Sequence, residues 1–233
     1  EDVLINLMLE RFVLSEPIIR EVPHSWLNLS RNVSNQKESL VDSMQYFSIN
    51  NTIFQRNGGL LSISGTPFLM DGVIFHNNTG DMKISDSTGV IDNTAFQFNK
   101  VPEKLFDSRT SETTLKFCLF QYNRAHTMIS LSGGSAKFQE SVFEENNFEI
   151  GIEAIQLDMV IDESQIILNN GTNIIRCEGA SGNIFYSKIT HNNCTQALFE
   201  CFESCKLLPI DTTFRKNQPP YANECNPNPN KIN

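Results

Sequence analysis

Phe120-Gln121-Tyr122-Asn123 is one of eight copies of a unit in which a large apolar residue is followed three places later by Asn. The full series is Phe54…Asn57, Phe75…Asn78, Phe96…Asn99, Phe120…Asn123, Phe143…Asn146, Ile166…Asn169, Ile189…Asn192 and Phe214…Asn217. Successive starts lie 21, 21, 24, 23, 23, 23 and 25 residues apart. So regular a period marks a solenoid, because one unit of this size cannot bury its own apolar face and must stack on its neighbours. Leu29…Asn32 reads as a weaker, earlier copy.

Aligning the copies on the Phe shows which residues turn inward. Two places earlier stand Thr52, Val73, Thr94, Cys118, Ser141, Ser164, Ser187 and Thr212, all small. Residues two apart in a strand share a face, so a small column beside a Phe column describes a packed interior. Five places before the Phe runs a third column, from Ile49 and Met70 to Ile184 and Pro209. Alternating pairs such as Leu61/Ile63, Met82/Ile84, Ile129/Leu131, Ile155/Leu157, Ile175/Cys177 and Phe199/Cys201 give each unit another strand. Three short strands per unit predict an all-β, right-handed parallel β-helix of about eight to nine coils. A leucine-rich repeat shares part of the spacing. It would need Leu in the small column and helical periodicity in the rest of the unit, and neither is present.

The Asn that closes each unit is expected to stack as a structural ladder: Asn57, Asn78, Asn99, Asn123, Asn146, Asn169, Asn192 and Asn217. Asn tolerates left-handed backbone and hydrogen-bonds nearby peptide groups, which suits a buried turn. Three domain segments follow: an N-terminal cap or edge segment over 1–35, in which Val3–Leu14 reads as a β-strand or first apolar rung, repeats over 36–217, and a Pro/Asn-rich tail over 218–233, where proline cannot join a ladder.

Composition narrows the partners. The net charge of −9 and pI near 4.9 exclude the basic face that nucleic acids or anionic membrane surfaces require. No apolar run is long enough to span a membrane, so no membrane insertion is expected. The chain starts without Met or a recognisable signal peptide and reads as a mature or trimmed product. Six Cys without metal-site spacing, and six Asn-x-Ser/Thr sequons, fit an oxidising secretory route and an extracellular or cell-surface location. Asn77, Asn170, Asn193, Asn50 and Asn28 are candidate glycan acceptors. Asn32 would be a ladder residue and is expected to stay bare. Cys177 and Cys201 fall at equivalent places on adjacent coils, close enough for a disulfide, with Cys205 and Cys225 as a second pair. Cys118, in the small column, reads as a buried inert thiol.

Phe-x-x-Asn units with intervening Gly-Gly, as in Phe54-Gln55-Arg56-Asn57-Gly58-Gly59-Leu60-Leu61, resemble the repeats of chlamydial polymorphic outer-membrane proteins and related surface β-helices of protists. The likeness covers roughly residues 40 to 217. It implies an adhesin, or a surface or matrix component. The sequence departs from the bacterial pattern in its few Gly-Gly coils and in having no autotransporter barrel.

β-Helices also carry polysaccharide enzymes, which mount acids on adjacent coils. Asp71 and Asp92, with Asp162 further along, take equivalent places four before the Phe, at the separation of a retaining glycosidase pair or a weak Ca²⁺ site. Asp also favours turns, and that simpler reading is preferred because no polygalacturonase-type set accompanies them. His24, His76, His126 and His191 are too scattered for a shared metal or a triad. No cofactor is expected. Just before the Phe, Ile53, Ile74, Ala95, Leu119 and Val142 should point outward as an apolar ridge, covered either by the chain's own Val3–Leu14 or by another subunit. The expected function is a non-enzymatic structural or adhesive surface protein that self-associates into a filament or other homo-oligomer. The alternative is a carbohydrate-active or carbohydrate-binding β-helix.

Overall fold

A computed structural model describes residues 47–58 and 61–219, together with the strands Ile5–Asn6, Phe12–Ser15, Ile18–Arg20 and Leu27–Ser30. The chain is an all-β, right-handed parallel β-helix. Among the described residues no helix is long and apolar enough to cross a membrane. Every strand pairs in parallel with the strand one coil before or after it, and nine strands from Ile18–Arg20 to Thr213–Arg215 form the sheet that carries the Phe column. At about 4.8 Å per coil, nine coils make a rod roughly 43 Å long.

Each coil has three faces. In one complete coil, Phe68–Asp71 lies on the first face, Ile74–His76 on the Phe face and Met82–Ser85 on the third. The strands alternate between buried and outward side chains, which turns one row of residues per strand into the interior. In the middle of the rod the third and first faces run together, through Lys100–Lys116 and Arg124–Gln139. The longer period of the later coils arises after the ladder Asn. Asn78 is followed by three residues before Met82, whereas five, Arg124 to Met128, separate Asn123 from Ile129. The insertion adds inward side chains, Val101, Ala125, Phe148 and Cys194, that widen the core.

Phe54, Phe75, Phe96, Phe120 and Phe143 stack with centroids 4.9, 4.7, 4.6 and 4.7 Å apart and interplanar angles of 8°, 11°, 2° and 1°. Those separations equal the coil spacing, so hydrogen-bonded strand stacking sets the ring stacking. Beside them the Asn side chains form a continuous hydrogen-bonded chain. Asn99 N–H donates to Asn123 Oδ1 at 3.0 Å, while Asn123 Nδ2 donates to Phe96 O at 2.7 Å and to Asn146 Oδ1 at 3.0 Å. Equivalent bonds run through Asn78, Asn99, Asn146, Asn169, Asn192 and Asn217. The ladder Asn is not itself the left-handed residue, however. That role falls to its predecessor: Asn77, Phe98, Tyr122 and Leu168 have φ of 54°, 56°, 55° and 56°. A left-handed residue reverses the chain and throws its own side chain outward, and the next residue is then aimed into the core.

The same device operates at the other corners. The first corner places a left-handed residue such as Asn93 or Phe117 before the small column. There Ser141 Oγ accepts from Cys118 N–H, and Ser164 Oγ from Ser141 N–H, both at 3.1 Å. Cys118 replaces a hydroxyl in this series and points its sulfur at Ile91 O, 3.3 Å away.

The strand register refines the sequence expectations at the start of the chain and in the sixth coil. Within residues 1–35, read from the sequence as a cap or edge segment, the described strands pair in register with the next coil, Ile19 with Phe54, Phe12 with Phe47 and Leu27 with Leu61, and so add a rung to each of the three faces. Ile5–Asn6 and Phe12–Ser15 therefore sit on the end of the stack and do not cover the ridge at Ile53. Leu29 stacks on Ile63, which places it in the third-face column and not in the Phe column. In the sixth coil the inward third-face pair is Ile152/Ala154 and not Ile155/Leu157, because Ile129 registers with Ile152.

The disulfide also differs. Cys177 and Cys201 are registered neighbours, but the bond runs from Cys177 to Cys205, with Cα atoms 6.0 Å apart. Directly stacked residues project their Cβ atoms in parallel, at about the 4.8 Å coil spacing, beyond the Cβ separation a disulfide prefers. Cys205 lies at the third corner and approaches Cys177 obliquely. Cys225 itself is outside the described residues. Cys201 Sγ lies 3.3 Å from Cys205 Sγ. The Cys177–Cys205 link closes a segment of sequence separation 28, and its removal in a Cys177→Ala/Cys205→Ala protein is expected to cost about 3 kcal/mol in chemical denaturation. A non-reducing digest that joins Cys177 to Cys201 would overturn the assignment. In the same digest Cys118 and Cys194 should resist alkylation at pH 8 until the protein is unfolded. Burial pushes the Cys118 thiol up to about 12 and the Cys194 thiol up to about 11, which leaves almost no thiolate to react.

Candidate functional site

The second corner, between the Phe face and the third face, carries the chain's most distinctive exposed chemistry. Its left-handed positions present Arg56, Asn77, Phe98, Tyr122, Glu145, Leu168, His191 and Lys216 to solvent. The residues after the ladder Asn add a parallel outward column, Lys100, Arg124, Asn147, Asn170 and Asn193, held in register coil by coil.

Phe98 and Tyr122 are 45% and 41% exposed, and their rings stack at 5.0 Å. The His76 ring meets Phe98 edge-on at 5.4 Å. Together with Asn77 and Lys100 these side chains line an open recess. Negative charge on Glu145, with smaller help from lost water contact, raises the Tyr122 phenol above its ordinary value, so the hydroxyl stays protonated and able to donate. Across the corner a second groove is lined by Lys100, Pro102, Arg124, His126, Glu149 and Thr172. His126 Nδ1 lies 2.9 Å from Glu149 Oε2, but both side chains are more than half exposed, so the pair contributes little to stability.

The stacked acids are already engaged. Asp71 and Asp92 are registered neighbours, yet Asn93 lies against both: its Nδ2 donates to Asp71 Oδ1 at 3.1 Å and its N–H to Asp92 Oδ1 at 3.0 Å. Asp162 stands apart, stacked on Gln139. His76 is in an outward strand position, His191 in the left-handed corner, and His24 outside the described residues.

Among the sequon residues, Asn77, Asn170 and Asn193 are exposed, and Asn50 is half-buried and accepts from Ser48 Oγ at 3.1 Å. Asn193 Nδ2 donates to Asn170 Oδ1 at 3.3 Å. Asn28 registers with Ser62, and Asn32 lies outside the described residues. Ile53, Ile74, Ala95, Leu119 and Val142 stack in register on the outside of the Phe face, each half-buried.

Sequence reasoning missed one polar cluster on the third face. Asp107, 3% exposed, receives Arg109 at 2.7 Å and Lys104 at 3.6 Å; Lys104 also donates to Ser130 Oγ at 2.7 Å, which in turn donates to Glu153. Its members come from three coils: Asp107, Ser130 and Glu153 stack in register in one outward column of the third face, a column that varies in residue type from coil to coil. The only signal for it was the pairing of a Lys and an Arg around one Asp. It is a charge-compensated surface network.

No family model matches the chain, and no curated protein matches it. Among solved structures, QnrB1, a plasmid-mediated fluoroquinolone resistance protein, is 11% identical, with a TM-score of 0.35 over 82% of this chain and 90% of that one. The fold assignment rests on the strand pairing itself.

Proposed function

We propose that this chain is a non-enzymatic structural or adhesive protein of an extracellular surface, a stiff rod that self-associates into a filament or other homo-oligomer. The observation that carries the reading is the continuous apolar ridge Ile53–Ile74–Ala95–Leu119–Val142, in register over five coils and bordered by exposed Phe98, Phe117 and Tyr122. A contiguous, half-exposed apolar surface of this kind is a feature of interaction faces. The resemblance of the Phe-x-x-Asn units to chlamydial and protist surface β-helices points the same way, and the sequons and the disulfide favour a secretory route. The tied-up carboxylates of Asp71 and Asp92 weigh against glycosidase chemistry. The recess beside Phe98 and Tyr122 favours, as a second reading, carbohydrate binding without catalysis.

Sedimentation tests the first reading. The protein is expected to associate as concentration rises, and Leu119→Glu, which places a charge in the middle of the ridge, should abolish that association while leaving the melt within about 1 kcal/mol of the parent. A monomer at every concentration would overturn it. A polysaccharide digest assayed for new reducing ends or unsaturated products should stay blank; turnover would move the chain to the enzymes.

A further inference from the structure

We propose that Asn77 carries an N-linked glycan whose innermost sugar lies on the exposed face of Phe98, one coil further along the same corner. The modification rests on the secretory reading above; the sugar's bed rests on geometry alone. Asn77 opens the sequon Asn77-Asn78-Thr79. It is the left-handed residue of its corner, with φ of 54°, and its backbone is fixed on both sides: its N–H donates to Gln97 O at 3.0 Å, and the next residue is the buried ladder member Asn78. The Asn77 amide is therefore held at a set point facing solvent.

What stands beside that point is unusual. Phe98 also occupies a left-handed corner, with φ of 56°, a conformation that bulky side chains avoid and that Asn or Gly would adopt more easily. It is braced from behind by Tyr122 and from the side by His76, so a flat ring is presented next to the sequon. The face of an aromatic ring is negative, and the axial C–H bonds on one face of a pyranose are weakly positive, so a sugar lies flat on such a ring. The His76 ring closes one side of the recess, and Lys100 supplies an ammonium at the rim for sugar hydroxyls. The other exposed sequons have no such bed. Asn170 and Asn193 follow corners occupied by Leu168 and His191, and their amides bond to each other.

The donor is an oligosaccharide on a lipid diphosphate. The Asn77 Nδ2–C1 bond forms as the C1–O bond to the diphosphate breaks, the amide loses one proton, and the lipid diphosphate leaves with the bonding pair.

The test expresses the full chain through a eukaryotic secretory pathway, maps each sequon by mass spectrometry, and compares melts before and after trimming by an amidase, which releases the glycan and converts the glycosylated Asn to Asp. Asn77 should be occupied and Thr79→Ala should empty it. Trimming should lower the parent's melting temperature by about 3 °C and leave that of Phe98→Leu, which keeps an apolar side chain without the flat face, unchanged. Tyr122→Leu, which removes only the brace, should show a reduced shift and serves if the first variant fails to fold. Glycan at Asn50, Asn170 or Asn193 with Asn77 bare would overturn this inference and leave the secretory reading standing. Glycan nowhere would overturn both. An undiminished trimming shift in the Phe98 and Tyr122 variants would remove the bed.

Discussion

Replacing Phe120 by Ala is expected to destabilise the rod by about 3–5 kcal/mol, measured by chemical denaturation. Phe120 is fully buried, and its ring lies between Phe96 at 4.6 Å and Phe143 at 4.7 Å. The strands that carry these rings are tied to both neighbouring coils, Phe96 to Phe120 and Phe120 to Phe143 in direct register, so they cannot close over the space that the ring leaves. A cavity that cannot collapse puts the substitution at the upper part of its range. Phe214→Ala, in the last coil, should cost less, because that ring is only partly buried. Equal effects at the two positions, or a loss below about 1 kcal/mol at Phe120, would mean that the stack is not what holds the coils.

The second large effect is expected at Asn123. Its Oδ1 accepts the Asn99 N–H, and its Nδ2 satisfies Phe96 O and Asn146 Oδ1. Asn123→Leu fills similar space but orphans a buried donor and a buried acceptor, at about 1–3 kcal/mol each, so a loss of about 2–6 kcal/mol is expected. Asn123→Asp separates hydrogen bonding from shape. Ionised, the new carboxylate faces Phe96 O and Asn146 Oδ1 and can donate to neither; protonated, it can donate to one. The Asn99 donors still serve one oxygen, but burial and the two acceptors that face the other oxygen raise its folded pKa above the unfolded value of about 3.9. The folded state then holds more protons between those two values. The variant's stability, relative to the parent, should be greatest below the unfolded value, fall as pH rises towards the folded one, and level off beyond it. A pH-independent difference in stability between the Asn123→Asp variant and the parent would show that the side chain is not in the ladder's hydrogen bonds.

The sequence disclosed the solenoid because the constraint it imposes is periodic. Each Phe must meet the next at one coil spacing, which forces the same residue type every 21 to 25 positions. The first coil lacks that signature. The step from Ile19 to Phe54 is 35 residues, and no Asn follows Ile19 three places on, so an alignment on the repeat settles on Leu29, which belongs to another face. The left-handed position falls one residue earlier than the sequence suggests, since Asn has both properties in play, tolerance of positive φ and hydrogen-bonding capacity, and only the second is used at the ladder. At the third corner, Ser87, Ser111, Leu157, Ala180 and Cys205 have little chemistry in common, and that loss of consensus hid the partner of Cys177. The aromatic recess was invisible for a different reason. Phe98 and Tyr122 lie inside the variable Phe-x-x-Asn positions, and only the backbone conformation makes variable mean exposed.

The strand pairing has a mechanical corollary. Hydrogen bonds between coils run along the rod, in line with any pull on its two ends, so tension is borne by one inter-coil seam at a time and is not shared across the structure as a shear load. The seam at an end gives first, and each release frees a single coil of 21 to 25 residues, about 70–85 Å of slack. The Cys177–Cys205 link interrupts this unzipping, because the seam it crosses cannot part by hydrogen-bond rupture alone. A tether built this way would yield in small steps from one end and stop at the covalent staple, behaving as a shock absorber with a built-in limit.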